Sequence, residues 1–246
     1  KVSGFYMYGY DISFYDAMVD ARNMKPGFQK FMREYEPDAV NIGGIYGLPA
    51  LEILGTQYLH WPGATCNLPL DSSFQHLDGE YLHDDEYEEF IQDPTHFTLT
   101  KLLPRKHKNL AGLGKLYLRE VYDAGFFADL AAFADPEVWD ALQVLMDAGK
   151  ASAARAAQMA DIRAAIAEEG FSTYCQGTFF TPFDAFADSH RGIVRTVMDA
   201  VEYPDELQRA VTKITDMNVE RLVKIYKSRG AKRIFIPLHC GVDEFM

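Results

Sequence analysis

Several absences narrow the reading of this chain before any motif does. Cysteine is scarce: Cys66, Cys175 and Cys240 lie far apart and form no C-x-x-C pair. That spacing excludes a disulfide framework and suits a reducing cytoplasm. Basic residues are outnumbered, with 24 Lys and Arg against 36 Asp and Glu, for a formal net charge of −12. Phosphate contacts need clustered Lys and Arg, so this balance argues against nucleic acid and against anionic membranes as partners. No apolar run approaches the ~20 residues of a membrane span. No signal peptide is visible, and the start at Lys1 in place of Met points to residues before it.

The common site signatures are missing too. There is no G-x-x-x-x-G-K-[ST] phosphate loop, no G-x-G-x-x-G, no G-x-S-x-G elbow and no H-E-x-x-H. Asp188-Ser-His190-Arg-Gly192 falls one residue short of the D-x-H-x-x-G signature of cobalamin-binding modules and sits inside an expected helix.

What is present is a chain of 246 residues, 48% hydrophobic and 24% charged, able to bury a sizeable core. Its pattern alternates helix and strand. Phe14–Tyr35 and Leu48–Leu54 read as helices, and 38–42 and 57–60 as short strands. Pro136 opens a long helix that Gly170 closes. Residues 171–175 read as a strand. Thr181-Pro-Phe-Asp184 is a helix start with Thr as cap and an acid three residues on. Pro204-Asp-Glu206 opens another helix, with Leu207, Val211, Ile214, Leu222 and Ile225 on its apolar stripe and Gly230 as its stop. Residues 233–238 form the last strand, and 2–7 are a weaker candidate. Such alternation implies an α/β fold with a parallel sheet and covering helices. About four strands are too few to close an eight-stranded barrel.

Between about 64 and 108 runs a long acidic segment, longer than an ordinary connection. Its stretch from His76 to Phe90 holds two histidines and seven carboxylates. The spacing fits no zinc or calcium template. It reads instead as a helix start, with Asp84, Asp85 and Glu86 near the positive end and Tyr87, Phe90 and Ile91 as the apolar face.

Two groups carry candidate chemistry. Asp184, Asp188, Arg191 and Arg195 follow i, i+4, i+7, i+11 spacing, a charged stripe on one helix face. In a parallel fold the N-terminus of that helix faces the carboxyl ends of the strands, where sites are built, which makes Asp184 and Arg191 candidate ligand contacts. The competing reading is a solvated stripe of ion pairs. The apolar run Ile234-Phe-Ile-Pro-Leu238 suits a strand buried on both faces. It delivers His239 and Cys240 to the carboxyl end, where a histidine acts as acid, base or metal ligand.

Taken together, Trp61-Pro-Gly63, Ser73-Phe-Gln-His76, Asp78-Gly-Glu-Tyr81 and Asp85-Glu-Tyr-Glu-Glu-Phe-Ile-Gln-Asp-Pro94 resemble the uroporphyrinogen decarboxylase superfamily. Leu103-Pro-Arg105, Pro182-Phe-Asp184, Asp188-Ser-His-Arg-Gly192 and Pro237-Leu-His-Cys-Gly-Val-Asp-Glu-Phe-Met246 extend the likeness. They most resemble its branch associated with corrinoid-dependent methyl transfer. The resemblance implies a (β/α)8 TIM barrel, incomplete in this chain, with the first strand and last third missing. Residues 1–246 would form one partial barrel domain, with 64–108 as a loop insertion.

It further implies an enzyme, and a cytoplasmic one, moving a methyl group from a small O- or N-methylated compound to a separate corrinoid protein. On that reading His239 is the acid or ligand and Asp243 its orienter. Asp184 and Arg191 position substrate, and Gln75 and His76 cover the pocket. Zinc is the metal to consider, on His239 and Cys240, although these are adjacent where the family's zinc enzymes carry H-x-C. A homodimer is left open. The alternatives are decarboxylation of uroporphyrinogen, which needs several Arg or Lys around a wide pocket and whose Arg-rich N-terminal motif is absent, and a non-catalytic binding or partner subunit.

Overall fold

The computed structural model describes residues 11–63, 67–117, 123–228 and 230–239. The chain divides into two compact units. The first is drawn from residues up to Leu77, from Lys108–Leu110 and from Asp140–Tyr174; the second from Asp78–His107, Ala111–Trp139 and the residues from Cys175 onward.

In the first unit, helix α1 (Phe14–Val19) starts at a capping box. The Ser13 hydroxyl accepts the Asp16 N–H at 3.0 Å and the Asp16 carboxylate accepts the Ser13 N–H at 3.3 Å. Helix α2 (Lys25–Tyr35) has Pro26 in its first turn, and α3 (Leu48–Leu54) has Pro49 there and ends at Gly55, whose φ of +64° suits a residue without Cβ. Strands β1 (Leu59–His60) and β2 (Gln75–His76) pair antiparallel. Phe14, Met18, Met24, Phe28, Met32 and Ile162 lead the apolar core. Burying each such side chain contributes roughly 1.5–3 kcal/mol before entropy is charged.

The second unit contains α4 (Tyr87–Gln92) and a helical run of α5 (Pro94–Phe97), a π turn at Thr98–Leu102 and α6 (Leu103–Lys106). It also holds α7 (Asp123–Asp129) and the first turn of the 33-residue α8 (Pro136–Glu168); the rest of α8 belongs to the first unit. Then come α9 (Pro182–Phe186), a π turn at Ala187–Arg191, α10 (Ile193–Glu202) and the 25-residue α11 (Pro204–Ser228). Leu82, Tyr87, Phe90, Phe97, Phe186 and Leu207 form much of its core. At Gly112 a Cβ would stand 1.9 Å from the Glu137 carbonyl oxygen, so only glycine permits that backbone approach.

This architecture overturns the expected barrel. Among the described residues helix accounts for 67%, and the sheet has two strands. The strands anticipated at 38–42, 171–175 and 233–238 contract to isolated parallel bridges, Val40 with Thr173 and Thr178 with Phe235. A barrel strand is covered on both faces and bonded along both edges. Here Ile234, Phe235, Ile236 and Leu238 are exposed. The candidate strand at 2–7 lies outside the described residues. The acidic segment expected as a loop is largely helical from Asp84 to Lys106, and Tyr87 and Phe90 are buried as its apolar spacing requires. Among the described residues no helix is long and apolar enough to cross a membrane.

Candidate active site

In the second unit the end of the 230–239 segment meets the helix begun at Thr181. Thr181 caps α9: its hydroxyl accepts the Asp184 N–H at 3.3 Å and donates to Asp184 Oδ2 at 2.7 Å. Asp184 is fully buried, and the same oxygen accepts the backbone N–H of His239 at 3.0 Å. One turn on, Asp188 Oδ2 lies 2.9 Å from His239 Nδ1. The edge of Phe180 packs on the imidazole at 5.6 Å between ring centres.

Two carboxylates therefore hold one histidine, one through its backbone and one through its ring. An ionised carboxylate only accepts hydrogen bonds, so Asp188 selects the tautomer with the proton on Nδ1. That leaves Nε2 to take a proton as a base or, once protonated, to give one as an acid. The ring is half exposed, open to a reactant.

Asp188 stands on the π turn at Ala187–Arg191, and the next three residues each secure that turn differently. The Ser189 carbonyl accepts Lys106 Nζ at 3.1 Å, and that ammonium also sits 5.2 Å from the centre of the Tyr81 ring. Burial pulls the Lys106 ammonium down to about 8, against the opposing pull of Asp188. The His190 ring stacks on Phe186 and meets the edge of Phe90, and burial pulls its pKa down to about 4, so it stays neutral near pH 7. Its carbonyl accepts the N–H groups of Tyr81 and Leu82 at 2.9 and 2.8 Å.

Arg191, fully buried, has five N–H donors and five acceptors. Nε and Nη2 bond Asp199 at 2.5 and 3.0 Å, Nη1 bonds Glu80 at 2.5 Å and the Leu82 carbonyl at 2.8 Å, and Nη2 also bonds Asp84. Tyr87 Oη donates to Asp199 at 2.6 Å; burial, reinforced by that carboxylate, raises the Tyr87 pKa. The guanidinium is thus committed to the fold, with no N–H left for a ligand.

Of the residues singled out from the sequence, the structure brings Asp184 and His239 together and places Arg191 in this neighbouring ion network. Gln75 and His76 fall in the first unit, on β2, exposed to solvent. His76 is ringed there by Tyr46, Tyr58 and Phe74 at 5.6–6.2 Å between centres. Asp243 and Cys240 lie outside the described residues. Sequence reasoning missed the pairing of Asp188 with His239, for which the shared stripe with Asp184 was the available signal, and it missed Lys106, for which there was none. Among the described residues no three His, Cys, Asp or Glu side chains converge as a metal site, and Cys240, the other zinc ligand considered, lies outside them. No protein-family model, curated protein or solved structure matches the chain.

Proposed function

We propose that this chain is an enzyme that helps move a methyl group from a small O- or N-methylated compound to a corrinoid carried by a separate protein. His239 serves as the proton donor to the departing heteroatom. The observation that carries the reading is the doubly held His239, with Asp184 on its backbone and Asp188 on Nδ1. Support for the substrate class comes from the residue resemblance described above. The corrinoid supplies the nucleophile that accepts the methyl group. The chain's own part is proton management: Asp188 orients the ring through Nδ1, and Nε2–H neutralises the heteroatom as its bond to the methyl carbon breaks.

The test is demethylation of a panel of O- and N-methyl compounds in the presence of a corrinoid protein, followed as demethylated product. His239→Ala should lower turnover by about 10²–10⁴-fold, the span of general acid catalysis. His239→Ala turnover within about threefold of the parent would overturn the role of that residue, and no demethylation of any compound would overturn the reaction.

A further inference from the structure

Helix α10 (Ile193–Glu202) is built inside out. Its inward face carries Thr196 and Asp199, both fully buried: Thr196 bonds the Gly192 carbonyl at 2.7 Å and Asp199 holds Arg191. Its outward face carries Val194, Met198 and Val201, which are 67%, 43% and 84% exposed. These three follow i, i+4, i+7 spacing, the stripe with which a surface helix normally faces its core. Here the ion network has claimed the inner face, and the apolar stripe is left to solvent.

The stripe has a rim that is acidic on balance. Glu80, Asp84 and Glu202 each keep nearly half of their side chains exposed, and Asp205 is exposed just beyond the helix end. Arg191 and Arg195, the cations among them, are spent within the network: Arg191 is fully buried and Arg195 binds Asp84, Asp199 and Glu202. Val194 and Met198 also line an open hollow of about 290 Å³ with Asp78, Glu80, Arg191 and Arg195.

We propose that this face docks a partner protein through an amphipathic helix whose apolar stripe is flanked by Lys or Arg. Charge decides among occupants. A second copy meeting across a two-fold axis would set the acidic rim against itself. An anionic bilayer would be repelled by the same rim. A basic-flanked apolar helix matches both the stripe and the charge. The proposal stands apart from the methyl-transfer reading and does not depend on it.

The probe is a labelled synthetic helix with Leu at i, i+3, i+4, i+7 positions and Lys on either flank. Its counterpart carries Glu in place of Lys. Titrated against the full chain by fluorescence anisotropy, the Lys helix should bind at least tenfold tighter than the Glu helix. Val194→Ser/Met198→Ser/Val201→Ser should weaken it at least tenfold with the thermal midpoint unchanged or raised. Val201→Ser alone, at a site too exposed to threaten folding, should weaken it about threefold. Glu202→Gln/Asp205→Asn should reduce the salt dependence of binding. Equal binding of the two helices, no binding, or binding untouched by the serine variants would overturn the proposal. Loss of self-association in the serine variants, seen by ultracentrifugation, would replace the partner with a second copy. Serine-sensitive binding to vesicles of phosphatidylserine and phosphatidylcholine would replace it with a membrane.

Discussion

The two units solve the problem of a stable interior by different means. In the first, Phe14, Met18, Met24, Phe28 and Met32 fill the core with apolar volume, and the ion pair Arg33–Glu169 stays near the surface. Arg155 is the exception, its stem buried while Nη1 and Nη2 bond the carbonyls of Ala17 and Ile45 at 2.8 Å. In the second, aromatic packing of Tyr87, Phe90 and Phe186 lies against a buried ion pair, Arg191 with Asp199, and the neutral His190, and the unit also buries a neutral His107. An apolar interior loses stability with volume removed. One built round a buried charge loses it when a partner is removed, and responds to pH. The same sequence thus holds two regions that should fail under different insults.

The largest expected effect breaks the second unit. Asp199→Ala leaves the Arg191 guanidinium buried without its main partner, at a cost of about 3–5 kcal/mol. Urea unfolding with peptide-resolved hydrogen exchange should place the loss in segments 78–107 and 175–228 and spare the first unit. A loss spread evenly through the chain would erase the contrast. Next, Met32→Ala should cost about 2–5 kcal/mol through the cavity it opens in the first unit. That cost should be the same at pH 5 and pH 8, which repeating the denaturation curves at both values would check.

Acidification sharpens the difference further. Burial, aided by the Lys106 charge, holds His107 at about 4, and burial does the same to His190. Unfolded histidine titrates near ~6.5. Between these values the unfolded chain binds protons that the folded chain refuses. Stability contributed by keeping the rings neutral is complete above pH ~6.5 and lost as pH falls towards 4. Glu86 adds a lower limb. Hydrogen bonding from Arg105 outweighs burial and holds its carboxyl at about 2, so its contribution is present above its unfolded value near ~4.3 and lost below it. His190→Phe should shrink the first limb to the part due to His107, and Glu86→Gln should remove the second, both read as thermal midpoint against pH. The smallest effect is a control: Arg209→Ala, which removes the exposed pair with Glu88, should leave the midpoint within error.

Local signals were legible in the sequence and long-range pairings were not. Pro136, Pro182 and Pro204 start helices where their fixed φ suggests, Thr181 caps as expected, and Gly170 and Gly230 take positive φ at helix stops. Those decisions involve neighbours three or four residues apart. Whether 38–42 becomes a strand depends on a partner at Thr173, and hydrophobic alternation says nothing about how far such a ladder extends. The charged stripe shows the limit within one helix. Its arithmetic assumed an unbroken α-helix from Asp184 to Arg195. The π turn and Gly192, at φ +86°, divide it. The two acids turn to His239 and the two arginines to Asp84 and Asp199. His239 and Asp184 were visible as residue types at telling places. Their engagement spans 55 positions, beyond the reach of any local pattern.

The boundary inside α8 has a consequence for how the chain comes to be folded at all. The first unit takes stretches up to Leu77 and from Asp140 to Tyr174, with most of the second unit's early segments synthesised between them. On the ribosome, Phe14, Met18 and Phe28 emerge long before Ile162 and Ile166, the residues that close their core. At ~5–20 residues per second that interval lasts several seconds, during which methionine- and phenylalanine-rich surface stands open to chaperones. No single cut would separate the two units into expressible halves, so a variant that weakens either must be judged in the whole chain.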